Sequence, residues 1–299
     1  MKTKRLILVI AFLLPVLLPA QVIEGTSNSI SMNFGIDQAE EMAKQRAEIT
    51  ESLNLLGFTK TPKYHALIIG ISAYQHEGFG LTNLEMPIVY AERLVSALTA
   101  QYGFEIQNIV YLKNPTQKDI LNQLERLKGI INENDNLLIF YAGHGVYDNS
   151  KGFGFWLPSD AKTNIRTAWI SNQTIASYIN IIKSKHTLLI SDACFSGSVL
   201  RSRTSSSPQL RFYDAYKNKS RKALTSGNVS KVPDKSIFLE TLLKSLEENK
   251  DAFLSASALY SKIYEPIITT SSTKPQFGIV QDAKDEGGEF VFIKKDMEN

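Results

Sequence analysis

The 299-residue chain contains a single cysteine, Cys194, and four histidines. Cys194 and one of the histidines lie in sequence settings suited to chemistry. His144 sits in Tyr141-Ala-Gly-His-Gly145, and Cys194 in Ser191-Asp-Ala-Cys-Phe-Ser-Gly197. A thiol beside an imidazole is the smallest machinery for covalent catalysis: the histidine removes the thiol proton and later protonates the leaving group. Glycines on both sides of His144 let a substrate carbonyl approach the backbone. The N–H groups of Gly145 and Cys194 are then candidates for an oxyanion hole. Two other readings compete. A lone cysteine is commonly a small buried hydrophobe, and a metal site on His144, Asp148, Asp192 and Cys194 lacks the paired spacing of zinc ligands.

The elements that must position these residues are legible as periodicity. Residues 65–72, 136–142 and 186–191 are nearly continuous apolar runs, the pattern of strands buried on both faces of a parallel sheet. Helical spacing predicts helices over 85–101, 117–131 and 171–183, the last capped by Ser171, with further helices over 236–246 and 255–267. Short strands are expected at 108–112, 153–157 and 223–226, and a closing strand at 289–293. Alternating strands and helices imply an α/β fold with a mostly parallel sheet of about six strands and helices on both faces. Ligands bind such sheets outside the carboxyl ends of the strands. His144 and Cys194 each follow directly on one of the buried strands, so both are expected at that edge.

Composition bounds the remaining possibilities. Hydrophobic residues make up 43% and charged residues 21%, as in a globular protein. The net charge of +3 and the absence of a basic stripe with interleaved aromatics argue against nucleic acid as a partner. Lys2, Lys4 and Arg5 precede an apolar stretch from Leu6 to Leu18, followed by Ala20. This is a signal-peptide pattern over residues 1–20, too short to span a membrane, and it implies export, which from a bacterium would be to the periplasm or the outside of the cell. Residues 21–61 are expected as an N-terminal helical arm and 62–299 as the main domain. Within it, residues 198–222 are rich in Ser, Arg and Lys and are expected as a mobile loop.

The two motifs together resemble the histidine and cysteine motifs of caspase-like cysteine peptidases, especially their bacterial metacaspase or orthocaspase form. Their separation of fifty residues is that of caspases. Phe155-Trp-Leu-Pro-Ser-Asp160 is similar to the segment that follows the family's histidine. The resemblance covers roughly residues 62–295. It implies the caspase-like (caspase-hemoglobinase) sandwich, with Cys194 as nucleophile, His144 as general base and Gly145 as an oxyanion-hole donor. Asp192 matches a metacaspase aspartate that lines the pocket for the residue before the cut, where a carboxylate would pair with Arg or Lys; its alternative is a turn cap. Phe195 occupies the position of the caspase arginine, which argues against cleavage after aspartate. Tyr90 stands where metacaspases place a second acidic pocket residue, with Glu85 and Glu92 nearby.

The implied activity is endopeptidase cleavage of polypeptides after basic residues by a monomer, with self-processing in the 201–222 stretch. No cofactor is required by this chemistry. Calcium activation is known in such proteins, but the sequence offers no identifiable site; Asp214 lies in the relevant stretch. A catalytically weak binding or scaffold protein of the same fold, and a thiol transferase that joins peptides, are the competing functions.

Overall fold

A computed structural model describes residues 44, 47, 51, 62–76, 78, 81–148, 150–193, 200–201, 216–227 and 234–295. The expected signal peptide lies outside these residues. Of the expected arm, Lys44, Ala47 and Glu51 are helical and exposed.

The core of the fold is a seven-stranded sheet in the order β2-β1-β3-β7-β9-β11-β8. Its strands are β1 (Tyr64–Gly70), β2 (Ile109–Lys113), β3 (Asn136–Ala142), β7 (His186–Asp192), β8 (Leu200–Arg201), β9 (Ser220–Thr225) and β11 (Gln276–Val280). The first five in spatial order pair in parallel. β11 runs antiparallel to β9, and the two-residue β8 pairs antiparallel with β11 at the edge. The expected mostly parallel sheet of about six strands is therefore present, with β8 as a short seventh.

Every residue of β1, β3 and β7 is buried, which is why their centres read as consecutive apolar residues rather than alternating ones. Successive side chains enter two separate cores. Ala66, Ile68, Leu138 and Phe140 face one core, which is completed by helices α1 (Met86–Gln101), α4 (Ile237–Glu247) and α5 (Ala256–Thr270). Leu67, Ile69, Leu137 and Ile139 face the other, completed by α2 (Gln117–Ile130) and α3 (Asn172–Ile181). Helix starts follow the expected chemistry: the side chains of Thr116, Ser171, Ser236 and Ser255 each accept the N–H three residues on.

Two small sheets flank the main one. β4 (Gly145–Asp148), β5 (Phe153–Trp156) and β6 (Ile170–Ser171) form an antiparallel meander just after β3. β10 (Phe253–Ser255) pairs antiparallel with β12 (Val291–Ile293). The expected closing strand thus forms a ribbon with β10, and β11 occupies the place beside β9 in the main sheet.

The stretch expected as one mobile loop, 198–222, is strand at both ends. Leu200–Arg201 forms β8, and β9 begins at Ser220, so Arg221 and Lys222 are buried strand residues. Their charges misdirect a reading by composition, because each is satisfied inside the fold. The Arg221 guanidinium donates to the carbonyls of Ile179, Ile182, Ser184, Lys185 and Ser220, closing the carboxyl end of α3. Lys222 Nζ meets Asp285 at 3.3 Å. Residues 198–199 and 202–215 of that stretch lie outside the described residues, and Tyr216 is buried.

Candidate active site

The carboxyl ends of three strands are in register: Gly70 pairs with Ala142, and Ala142 with Asp192. His144 and Cys194 each follow two residues after a member of the second pair. Cys194 itself, with residues 195–199, lies outside the described residues; Ala193 before it is fully buried. Gly70 allows the first turn of α1 to lie against this edge, since a Cβ there would stand 2.9 Å from the Pro87 carbonyl oxygen.

His144 is buried and held at three points. Its backbone N–H donates to the Tyr74 hydroxyl at 2.7 Å, and its carbonyl accepts from the Tyr141 hydroxyl at 2.6 Å. Its ring Nε2 lies 2.8 Å from the Thr82 carbonyl oxygen. A carbonyl only accepts, so the ring donates from Nε2, and in the neutral imidazole the basic lone pair is on Nδ1. Gly143 is needed for packing: a Cβ would meet the Tyr74 hydroxyl at 3.0 Å and that of Tyr141 at 3.2 Å. Gly145 opens β4 in register with Trp156, which stacks on Tyr141.

Asp192 ends β7, buried in the cleft that His144 also lines with Leu84, Pro87, Tyr90, Ala142, Gly143, Asp234 and Leu239. Burial pushes its carboxyl up to about 6, against the opposing influence of the Ser236 and Ser226 hydroxyls. Its enclosed Oδ1 accepts no hydrogen bond from any described residue, a costly state for a carboxylate unless a cation or donor joins it.

Tyr90 faces the same cleft. Its hydroxyl accepts from the Ser236 N–H at 3.0 Å, and burial raises its phenol to about 12. The carboxylates near it in sequence are elsewhere: Glu92 pairs with Lys113 at 2.6 Å, and Glu85 is exposed. The second carboxylate of the cleft is Asp234, which accepts the N–H groups of Glu85 and Met86 at 2.9 and 3.0 Å and so caps α1. Asp148 is taken by Arg166 at 2.7 Å and by Ser150, at the far end of β4 from His144. Among the described residues no group of three or more His, Cys, Asp or Glu could hold a metal ion.

Sequence reasoning did not find Thr82, Tyr74 or Asp234. A backbone carbonyl carries no residue-type signal, and Asp234 reaches α1 across 149 positions.

A mostly parallel sheet covered by helices on both faces is the architecture of the caspase-like class. The chain matches the Caspase domain family over residues 63–277 and belongs to it. It is similar in fold to a protein from Geobacter sulfurreducens of known structure, with 15% identity and a TM-score of 0.53 over 76% of this chain and 99% of that one. It is also similar to caspase-1 from Spodoptera frugiperda, with 13% identity and a TM-score of 0.52 over 74% of this chain and 88% of that one. No curated protein matches the sequence at a significant level.

Proposed function

We propose that the chain is a cysteine endopeptidase in which Cys194 is the nucleophile and His144 the general base, cleaving polypeptides after Arg or Lys. The observation that carries this reading is the pairing, in one cleft, of a histidine with Nε2 tied to the Thr82 carbonyl and a buried carboxylate, Asp192, with an unmatched oxygen. Membership of the Caspase domain family supports the peptidase class.

The reaction runs in two halves. Nδ1 of His144 takes the Cys194 thiol proton, and the thiolate attacks the scissile carbonyl carbon. The developing oxyanion is received by the N–H groups of Gly145 and Cys194. The imidazolium then protonates the leaving amine as the C–N bond breaks, leaving a thioester. Water attacks the thioester, giving a proton to His144; the C–S bond breaks to release the carboxylic acid, which ionises, and the imidazolium returns the proton to the Cys194 sulfur. The Thr82 carbonyl steadies the imidazolium formed in each half by accepting from Nε2. Asp192 binds the cationic side chain before the cut, which supplies the partner that its Oδ1 lacks.

The basic residues between β8 and Tyr216, Arg203 and Arg211, are natural internal substrates for such a pocket. The signal-peptide pattern at the N-terminus supports export. Turnover of fluorogenic peptides with Arg, Lys, Asp or Asn before the cut, by wild type and Cys194→Ala, with and without calcium, tests the reading. Cleavage of the basic peptides by wild type alone is expected. No turnover of any peptide would favour a binding or scaffold role.

A further inference from the structure

The His144 ring is oriented by the loop that follows β1, and that loop is organised around a residue outside the cleft. Asn114 follows β2 directly and has φ +46°. That is the left-handed region, costly for a side chain other than glycine and best tolerated by asparagine. Here it stands immediately before Pro115. A strained backbone persists where surrounding contacts enforce it, and often where function uses it. The Asn114 N–H donates to the Gly70 carbonyl at 2.9 Å, which pins it beside the end of β1. Its side-chain oxygen then accepts two consecutive N–H groups, from Ser72 at 2.7 Å and Ala73 at 2.9 Å.

Ser72 passes this constraint on. Its carbonyl accepts the Leu84 N–H at 2.8 Å, and its hydroxyl oxygen accepts from Ile88 in the first turn of α1 at 3.4 Å. Asn83, next to Leu84, accepts the Tyr74 N–H at 2.8 Å. The result is a linked set of contacts: Ser72 and Ala73 are fixed to Asn114, and Asn83 and Leu84, which follow Thr82, are fixed to Tyr74 and Ser72. The two groups that hold His144 issue from these segments. The Tyr74 hydroxyl receives the His144 N–H, and the Thr82 carbonyl receives Nε2–H.

We infer that Asn114 is a positioning residue: its side-chain carbonyl clamps the loop so that Thr82 fixes the Nε2–H tautomer of His144. The inference rests on the peptidase reading only for its kinetic consequences. The tautomer is a property of the resting protein. A ring free to exchange tautomers would present its basic nitrogen to the thiol only part of the time, and a misplacement of about 1 Å can cost as much as a hundredfold in rate.

The test uses the full chain with ring-15N-labelled histidine, the His144 signals being assigned by comparison with His144→Gln. Wild type is expected to hold His144 in the Nε2–H form over the pH range where the ring is neutral. Asn114→Gly accepts the positive φ but lacks the carboxamide. It is expected to give a mixture of tautomers and to lower kcat about tenfold or more, with KM changed much less. Asn114→Asp retains an acceptor oxygen and is expected to restore the single tautomer and most of kcat. A single Nε2–H tautomer in Asn114→Gly, or no recovery in Asn114→Asp, would overturn the inference. If Asn114→Gly fails to fold, Asn83→Ala carries the same test: it removes the Tyr74 tether, and an unaltered tautomer would count against the clamp. Absence of peptide turnover by wild type, with the tautomers behaving as expected, would overturn the peptidase reading and leave the clamp standing.

Discussion

Ala142 and Asp192 are register partners in adjacent parallel strands, and each is followed two residues later by one member of the proposed catalytic pair. A parallel ladder keeps successive residues of its strands level, so it offers a thiol and an imidazole a shared edge without a long loop to place either. The scaffold beneath is buried on both faces and is resistant to local opening.

In the proposed reading, Asp192 ties specificity to pH. Its carboxyl titrates near 6 in the folded protein because burial disfavours the charge. An ionised Asp192 is needed to hold a cationic side chain, so kcat/KM for Arg and Lys peptides is expected to rise as pH increases from 5 to 7. The stability consequence has the opposite sense. Below about pH 3 the carboxyl is protonated in folded and unfolded chains alike, and it costs nothing. The penalty grows as pH rises through 6. Asp192→Asn is therefore expected to abolish preference for basic peptides and to raise stability at pH 8 by up to about 3 kcal/mol, with almost no gain at pH 3. Denaturant titrations at the two pH values check this.

Tyr74→Phe removes the acceptor for the His144 backbone N–H. A buried N–H left unpaired costs about 1–3 kcal/mol, and the histidine loses one of its anchors. A lower unfolding midpoint and a kcat reduced about tenfold are expected; a variant equal to wild type in both would show that the hydroxyl is dispensable.

Much of this arrangement is legible in the sequence. β1, β3 and β7 declare themselves by their runs of consecutive apolar residues, 66–69, 137–142 and 188–190, as expected of strands covered on both faces. The start of α3 is visible at Ser171, whose hydroxyl accepts the Thr174 N–H. What is not legible depends on contacts distant in sequence. Arg221 and Lys222 read as loop because only the folded chain brings the carbonyls at the end of α3 and the Asp285 carboxylate to them. β11 is short, half exposed and interrupted by Gly278, so it lacks the pattern of its neighbours. Thr82 acts through its backbone, and any residue could stand there.

The burial of Arg221 and Lys222 narrows self-processing. Their peptide bonds lie in β9, inside the sheet, and a protease needs an extended, accessible segment. Cleavage is expected after Arg203 or Arg211 and not after Arg221 or Lys222, as mass spectrometry of purified wild type will register. Fragments ending at Arg221 would contradict this. Arg221→Met is expected to cost at least about 2 kcal/mol in stability, since the carbonyls it serves lose their donor, as thermal unfolding will report.

The central claim is that Cys194 attacks a peptide carbonyl with the help of His144. Its most direct measurement is steady-state turnover of an Arg-containing fluorogenic peptide by wild type, Cys194→Ala and His144→Ala, each purified and shown to be folded. Turnover by wild type alone, with both variants reduced at least about a thousandfold, is the predicted result. Equal turnover by wild type and Cys194→Ala would contradict the account.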